Sequence, residues 1–322
     1  MERRHFLSTA AALGAFGLLP PADAGAQAKY PSKPVTLLVP FAAGGAGDAL
    51  TRMLADYVRN KRGVAAAVEY KPGAGATLGP GQVARAEPDG TTLGLYSISP
   101  FVVVPHMQKL PYDPLKDFTY IGVYAYIPIA FYVKADSALK DWAEVLQYAR
   151  DNPGKLRWGT SGVRGAAHIA VEAAFRKEGI KTTFVPFTGG AEAITALLGN
   201  HIEAVVSADY APQLTSGTVR LLALTGTEKL PAQPALPTFK DLGYPLSTEA
   251  IYGIFGPAKL PKEIVAYWEG AIQDMMKTEE FATGLKAIGA SPVYMDSARF
   301  TANVAENYRK IGEAIDTLGF KK

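Results

Sequence analysis

Short apolar runs alternate with amphipathic stretches along the chain from residue 33 onward. Residues 35–39 are apolar and β-branched at both ends, which is typical of a buried strand. After Gly47 the apolar side chains recur at helical spacing and fall on one face: Leu50, Met53, Leu54, Tyr57 and Val58. This part of the chain therefore predicts a buried strand followed by an amphipathic helix.

The same alternation continues towards the carboxyl terminus. The further predicted strands are residues 65–70, 92–98, 127–133, 156–159, 183–187, 204–207, 219–225 and 252–257. The further predicted helices are residues 77–86, 141–151, 166–177, 191–198, 262–277, 279–288 and 298–318. Alternating strands and helices predict an α/β protein with parallel sheets that are covered by helices.

The predicted elements form two successive runs with no low-complexity linker between them. This organisation predicts two lobes, each with its own sheet, joined by strands that cross between them. We place the first lobe at residues 30–127 and 248–322, and the second at residues 128–247. The crossing segments are predicted at residues 120–131 and 248–256.

Two glycine-rich loops stand where predicted strands end and predicted helices begin. The first glycine loop (residues 41–47) consists of Phe41, Ala42, Ala43, Gly44, Gly45, Ala46 and Gly47, and the second (residues 73–77) of Gly73, Ala74, Gly75, Ala76 and Thr77. In open α/β sheets ligands bind beyond the carboxyl ends of the strands, and a helix N-terminus attracts anions. Glycine also allows close approach of the backbone to a ligand. We therefore expect the two loops to hold a small anion through main-chain donors.

The glycine-rich loops also allow two other interpretations. Glycines at such positions often serve only to make the turn, which is the better interpretation for a single loop. The glycines from Gly73 to Gly79 are spaced one residue too long for the dinucleotide-binding fingerprint, and the chain contains no P-loop pattern. A nucleotide is therefore not the expected ligand.

Composition narrows the possible chemistry. The chain has 322 residues, a net charge of +3 and no block of basic residues, so a nucleic-acid partner is not expected. It contains no cysteine, which excludes disulfides, thiolate catalysis and zinc–cysteine sites. It has only four histidines, so neither a metal cluster nor a nucleophile–base pair is visible. We expect no cofactor and no metal.

The amino terminus has the pattern of an export signal. Arg3 and Arg4 precede an apolar run at residues 6–19, and small-x-small triplets follow at residues 24–26 and 26–28. We predict a signal peptide at residues 1–26, cleaved near Ala26 or Ala28, and a periplasmic mature protein. The paired arginines fit either the twin-arginine or the general export route. The alternative is a short buried helix.

Several stretches along the mature chain resemble the receptors of tripartite tricarboxylate transporters, the Bug-type or TctC-like periplasmic solute-binding proteins. These stretches occur in the family's order and are residues 30–35, 40–52, 71–75, 88–90, 112–118, 159–162, 185–187 and 256–265. The resemblance implies a two-lobed, Venus-flytrap receptor that encloses an organic anion and delivers it to membrane permease subunits. It also implies a monomer whose two glycine loops hold a ligand carboxylate.

This chain departs from the family pattern at four positions. Ala42 and Ala43 stand where prolines are frequent, Arg164 where a small residue is expected, and Glu192 where a proline is common. These departures concern the ligand and leave the expected fold unchanged.

The second lobe supplies the candidate side chains for ligand recognition. They are Ser161, Arg164, His168, Thr188, Gly189 and Asp209, all at the ends of predicted strands or the starts of predicted helices. Arg164 can clamp a second carboxylate through its guanidinium, and its alternative is a solvated loop arginine. His168 either binds ligand or packs its helix on the sheet. Asp209 either contacts the ligand or stabilises its turn. Ser161 is expected to donate a hydrogen bond to the ligand and not to act as a nucleophile, because the G-x-S-x-G pattern is incomplete.

The sequence leaves three functions open. The first is a receptor for a di- or tricarboxylate, an amino acid or an aromatic acid. The second is an exported enzyme that acts on a carboxylic acid, and the third is a sensor that passes a ligand signal to a membrane kinase. The absence of a visible catalytic pair favours the receptor.

Overall fold

The computed structural model describes residues 30–230, 232–248 and 250–320. The predicted signal peptide at residues 1–26 lies outside these residues. Strands are β1 Val35–Val39, β2 Ala66–Tyr70, β3 Thr92–Tyr96, β4 Phe118–Ile127, β5 Ala130–Lys134, β6 Arg157–Ser161, β7 Thr183–Phe187, β8 Ala204–Ser207, β9 Val219–Leu224, β10 Ala250–Pro257 and β11 Ser291–Met295. Helices are α1 Ala46–Arg62, α2 Leu78–Val83, α3 Trp142–Asp151, α4 Ala166–Lys177, α5 Gly190–Leu198, α6 Ala211–Thr215, α7 Lys262–Met275, α8 Glu279–Ala287 and α9 Ser297–Thr317.

The strands form two sheets, one in each lobe. The first lobe holds a six-stranded sheet in the order β11-β4-β10-β3-β1-β2. The second lobe holds a five-stranded sheet in the order β7-β6-β8-β5-β9. In both sheets buried aliphatic and aromatic side chains pack under the flanking helices. The fold is therefore an α/β fold with two lobes.

Both sheets are mixed, whereas strand–helix alternation alone predicts parallel sheets. Strands β1, β2 and β3 are parallel, but β10 runs antiparallel to its neighbours β3 and β4. In the second sheet β5 likewise runs antiparallel to β8 and β9. The reason is the route of the chain, because β5 and β10 each enter a sheet from the other lobe. They start at the cleft where the parallel strands end.

The crossing between the lobes is short and hydrogen-bonded. The predicted strand at residues 127–133 is in fact two strands in different sheets, separated by Pro128, which has no N–H to give to a ladder. The Thr225 N–H donates to the Ile129 carbonyl at 2.9 Å, and the Thr248 N–H donates to the Thr225 carbonyl at 2.9 Å. Thr225 thus contacts both passages of the chain between the lobes.

Helix α1 positions the first glycine loop. Leu50, Leu54 and Val58 are buried along one face, as the helical spacing predicts. The helix ends at Gly63. Its φ of 68° lies in the left-handed region, which only glycine adopts without strain. Near the carboxyl terminus no strand was predicted after residue 257, whereas Ser291–Met295 forms strand β11 beside β4.

Candidate functional site

The carboxyl ends of strands from both sheets meet around a cavity between the lobes. This inner cavity has a volume of about 70 Å³. The first lobe lines it with the first glycine loop, residues 97–99 after β3, and the start of β10. The second lobe lines it with the ends of β6 and β8 and with the first residues of α4 and α5. Helix N-termini from both lobes therefore reach the same small space.

Asp48, the residue directly after the first glycine loop, holds the loop in its conformation. This buried carboxylate accepts hydrogen bonds from the Gly44 N–H at 2.8 Å, from Arg52 Nε at 2.7 Å and from the Tyr70 hydroxyl at 2.8 Å. Gly44 has a φ of +90°, which a residue with a side chain rarely adopts. Asp48 thus fixes the shape of the loop, and Arg52 neutralises its charge.

Asp209 reaches from the second lobe to the first. Its Oδ1 accepts a hydrogen bond at 2.6 Å from the N–H of Ala46, the first residue of α1. Its own N–H donates to Ser207 Oγ at 3.1 Å, and that hydroxyl also bonds to the Tyr132 hydroxyl. Burial raises the pKa of Asp209, although the bonds from Ala46 and Ser207 act in the opposite direction. A carboxylate of the protein itself therefore lies at the N-terminus of α1.

Asp209 occupies space that is free because Gly45 and Gly190 have no side chains. A Cβ on Gly190 would lie 1.6 Å from Asp209 Oδ2, and a Cβ on Gly45 would lie 2.9 Å from Asp209 Oδ1. Both distances are shorter than contacts that real Cβ atoms make. A larger residue at either position would force this carboxylate to move.

A serine makes the reciprocal contact from the first lobe to the second. Ser99 Oγ accepts a hydrogen bond at 2.9 Å from the N–H of Ala166, the first residue of α4. Two residues earlier, Ser97 also lines the inner cavity. It is only 6% exposed, and within the described part of the chain its hydroxyl has no hydrogen-bond partner. Each lobe thus caps a helix of the other, and Ser97 presents an unpaired polar group.

The second glycine loop lines a different space. It forms a left-handed turn, with φ values of 49° at Ala74, 69° at Gly75 and 70° at Ala76. Such backbone is strained for alanine and is found preferentially at functional sites. The turn lines an outer cavity of about 600 Å³. The two glycine loops therefore serve adjacent cavities, which share Phe41 and Ser161 as lining residues.

Arg164 lies at the outer cavity and not at the inner one. Its φ is 61°, and its N–H donates to His168 Nδ1 at 2.9 Å. The His168 ring stacks on Phe184 at a centroid distance of 3.7 Å. Burial, with further contributions from Arg164 and Arg176, lowers the pKa of His168 to about 4. These contacts give His168 a structural role and place its ring away from the inner cavity.

Thr188, Gly189 and Glu192 organise the start of α5. The Thr188 N–H and hydroxyl both donate to the Glu192 carboxylate, at 2.9 and 2.7 Å. Gly189 packs closely on Ala42 of the first glycine loop. A Cβ added to Gly189 would lie 3.1 Å from the Ala42 Cβ. The Glu192 carboxylate is therefore satisfied by the residue just before the N-cap of its own helix, and Thr188 also lines the outer cavity.

Comparison with known proteins identifies the family. The sequence model described as the tripartite tricarboxylate transporter family receptor, TctC, matches residues 50–320. The chain belongs to this receptor family. Proteins of this family are solute-binding receptors and not enzymes.

Relatives and solved structures agree with this assignment. The receptor is 34% identical over 327 residues to the UPF0065 protein in the gbd 5′ region of Cupriavidus necator, which covers 100% of this chain and 99% of that protein. It superimposes on the periplasmic binding protein BugD with a TM-score of 0.82 and 28% identity, covering 91% and 100% of the two chains. For MatC from Rhodopseudomonas palustris, solved with malate, the TM-score is 0.81 and the identity 26%, covering 89% and 100%. The two-lobed periplasmic-binding-protein fold is confirmed.

Some lining residues of the receptor were not predicted. Ser97, Ser99 and Tyr252 were missed, as was the role of Gly190. The rule that found the glycine loops could have found Ser97 and Ser99, because they directly follow β3 at the same sheet edge. Tyr252 lies within β10, in the segment predicted to cross between the lobes, but no local pattern shows that its side chain lines the cavity.

The described residues of the receptor contain neither a membrane-spanning helix nor a metal cluster. No helix there is long and apolar enough to cross a membrane. The same residues contain no group of three or more His, Asp or Glu side chains arranged to hold a metal ion.

Proposed function

We propose that this receptor captures a small carboxylate between its lobes in the periplasm and delivers it to the membrane permease of a tripartite tricarboxylate-type transporter. One observation carries the proposal: both lobes aim helix N-termini and small polar side chains at one inner cavity. Among the described residues that line this cavity, none is Lys, Arg or His. Recognition of a carboxylate there therefore rests on main-chain N–H groups and hydroxyls.

The family and its solved members support this proposal. A relative of similar fold was solved with malate, a small carboxylate. The first glycine loop, which lines the inner cavity, is one of the two loops that the resemblance assigns to carboxylate binding. Membership in the family supports export of the mature chain and delivery of its ligand to permease subunits. A monomer is sufficient for this role, because both lobes of one chain complete the cavity.

A ligand screen tests the proposed function. Thermal unfolding of the mature protein would be followed with mono-, di- and tricarboxylates, aromatic acids and amino acids. A ligand at 100 times its dissociation constant should stabilise the folded state by about 2.7 kcal/mol. Stabilisation by no carboxylate at all would refute the proposal.

The Gly45→Val variant locates the carboxylate. Its branched Cβ meets Asp209 at the edge of the inner cavity, so binding of every hit should fall at least tenfold by titration calorimetry. Gly270→Val is the matched control, because a Cβ at that position in α7 meets its nearest neighbour at an ordinary 3.7 Å. Normal binding by Gly45→Val would move the carboxylate site away from the first glycine loop.

A further inference from the structure

The charges at the inner cavity are unbalanced. Two carboxylates line it, Asp48 and Asp209. Asp48 is paired with Arg52 at 2.7 Å. Asp209, in contrast, forms no ion pair with a cationic side chain of the described chain, and its contacts are the Ala46 N–H and the serine at 207. The cavity therefore contains one buried carboxylate without a cationic partner.

We propose that Asp209 is a specificity-determining residue that binds the ammonium group of the ligand, so that the ligand is an amino acid. This inference rests on the proposed function and narrows its substrate class. The carboxylate of such a ligand is held by the first glycine loop, and its ammonium group supplies the cation that the cavity lacks.

The surroundings of Asp209 fit an ammonium group. An ammonium has three hydrogens to donate and needs acceptors on several sides. Besides the carboxylate, the hydroxyls of Ser97, Thr160 and Ser161 line the same cavity. Ser97 is buried and unpartnered among the described residues, so it is an acceptor whose partner the ligand supplies.

A ligand with two carboxylates and no ammonium group fits this cavity less well. Its second negative charge would lie near Asp209 in a buried space that no cationic side chain of the described chain lines. Burial of unpaired like charges is strongly unfavourable. Arg164, which suits a second carboxylate, stands at the outer cavity instead. The inner cavity therefore selects against a dianion.

Matched ligand pairs test the inference. Calorimetric titrations at pH 7 would compare L-alanine with L-lactate, L-aspartate with L-malate, and L-glutamate with glutarate. We expect the amine to bind at least tenfold more tightly in at least one pair. Asp209→Asn should weaken that amine by at least tenfold and change its partner acid by less than threefold, because the amide still accepts from Ala46 but carries no charge.

Two further variants separate recognition from folding. Gly190→Ala keeps the charge of Asp209 but displaces its carboxylate, so it should lose the same preference for the amine. Asp136→Asn removes an exposed carboxylate of the second lobe, whose side chain is 76% exposed, and should leave every titration unchanged. Thermal unfolding of each variant shows that it is folded.

The outcomes are distinct. Equal binding of amines and their partner acids, or a preference that survives in Asp209→Asn, overturns the inference while the proposed function stands. Tight diacid binding that depends on Arg164, shown by its loss in Arg164→Ala, also overturns it and places the ligand in the outer cavity. Binding of no carboxylate overturns the proposed function as well.

Discussion

At the scale of single residues, His168 shows how a group that resembles a ligand-binding side chain can be structural. Its ring is stacked on Phe184, and its Nδ1 accepts from the backbone N–H of Arg164. Because Nδ1 is an acceptor, the neutral form is required in this position. The sequence left open whether His168 binds ligand or packs its helix, because its neighbour Phe184 lies on strand β7 and could not be predicted from local spacing.

His168 should make the stability of the protein depend on pH. Its folded pKa of about 4 lies below the unfolded value of 6.5, so the folded state binds fewer protons between these values. The contribution is therefore fully present above pH 6.5 and is lost as the pH falls towards 4. The size of the shift corresponds to about 3 kcal/mol.

Urea unfolding at pH 7.5 and 4.5 would measure this loss. His168→Asn cannot ionise there, so its free energy of unfolding should change less between the two pH values than that of the wild type. His201→Asn, at an exposed position, should behave as the wild type. The pKa of Asp209 is raised, so its contribution to stability changes with pH in the opposite direction to that of His168. This contribution is present in all three proteins and cancels in the comparison. Equal pH dependence in His168→Asn would contradict the prediction.

The sequence could not predict which residues of the site contact each other between the lobes. Asp209 could be identified as a cleft residue because it follows a predicted strand. Its partner Ala46 is 163 residues away along the chain, and the room for its carboxylate comes from Gly190. No local pattern encodes such a contact, since it depends on how the two lobes meet.

At the scale of elements, the helices α1 and α4 are each capped by the other lobe. Neither the N-cap residue of α1, Gly45, nor that of α4, Gly165, offers a side-chain oxygen to its own helix. Asp209 and Ser99 supply these oxygens across the cleft. The helix ends are therefore satisfied by protein groups when the lobes are together, and by water when they separate.

Loss of one cross-lobe cap should favour the open form. A helix cap is worth about 1 kcal/mol, so Ser99→Ala should shift the closing equilibrium by about fivefold towards opening. Small-angle X-ray scattering without added ligand should then show a larger radius of gyration than that of the wild type.

Asp141→Ala is the matched control for this experiment. Asp141 caps α3 within the second lobe, where its side chain accepts from the Glu144 N–H at 2.9 Å. The control should lower stability without a change in the radius of gyration. An unchanged radius for Ser99→Ala, or an equal change in both variants, would show that the Ser99 contact does not influence closure.

The sequence predicted individual helices and strands well where their pattern is local. Helix α4 and strand β7 have the bounds that the spacing of apolar residues predicts. Strand β11 was missed because Ser291–Met295 is an edge strand with partly exposed side chains, which leaves no clear alternation. The direction of β5 and β10 was also missed, because it depends on the chain's path between the lobes.

At the scale of the whole molecule, Thr225 joins the two passages between the lobes. Its buried hydroxyl lies 3.2 Å from the Thr248 carbonyl and 3.3 Å from the Thr248 hydroxyl. These bonds lie beside Ile129, which also lines the inner cavity. The joint between the lobes is therefore a small, hydrogen-bonded structure with side chains excluded from water.

Thr225→Val should destabilise this joint. Valine has the shape of threonine but leaves the polar groups of Thr248 without their partner, which costs about 1–3 kcal/mol in the free energy of unfolding. Urea unfolding would measure the loss. The control Thr195→Val removes an exposed hydroxyl that donates to the Ala191 carbonyl within α5, and it should cost less than about 0.5 kcal/mol. Similar costs for the two variants would show that the Thr225 contacts are of little importance.

The contacts of Thr225 also mean that the second lobe begins and ends at one point in space. The chain passes from the first sheet to the second at Ile129, between β4 and β5, and reaches β10 of the first sheet just after Thr248; both residues bond to Thr225. A bridge of two or three glycines, which spans up to roughly 10 Å, is long enough to join such neighbouring ends. Residues 130–247 can accordingly be treated as a cassette for protein engineering, to be excised, circularly permuted or exchanged between receptors while its anchor points stay fixed.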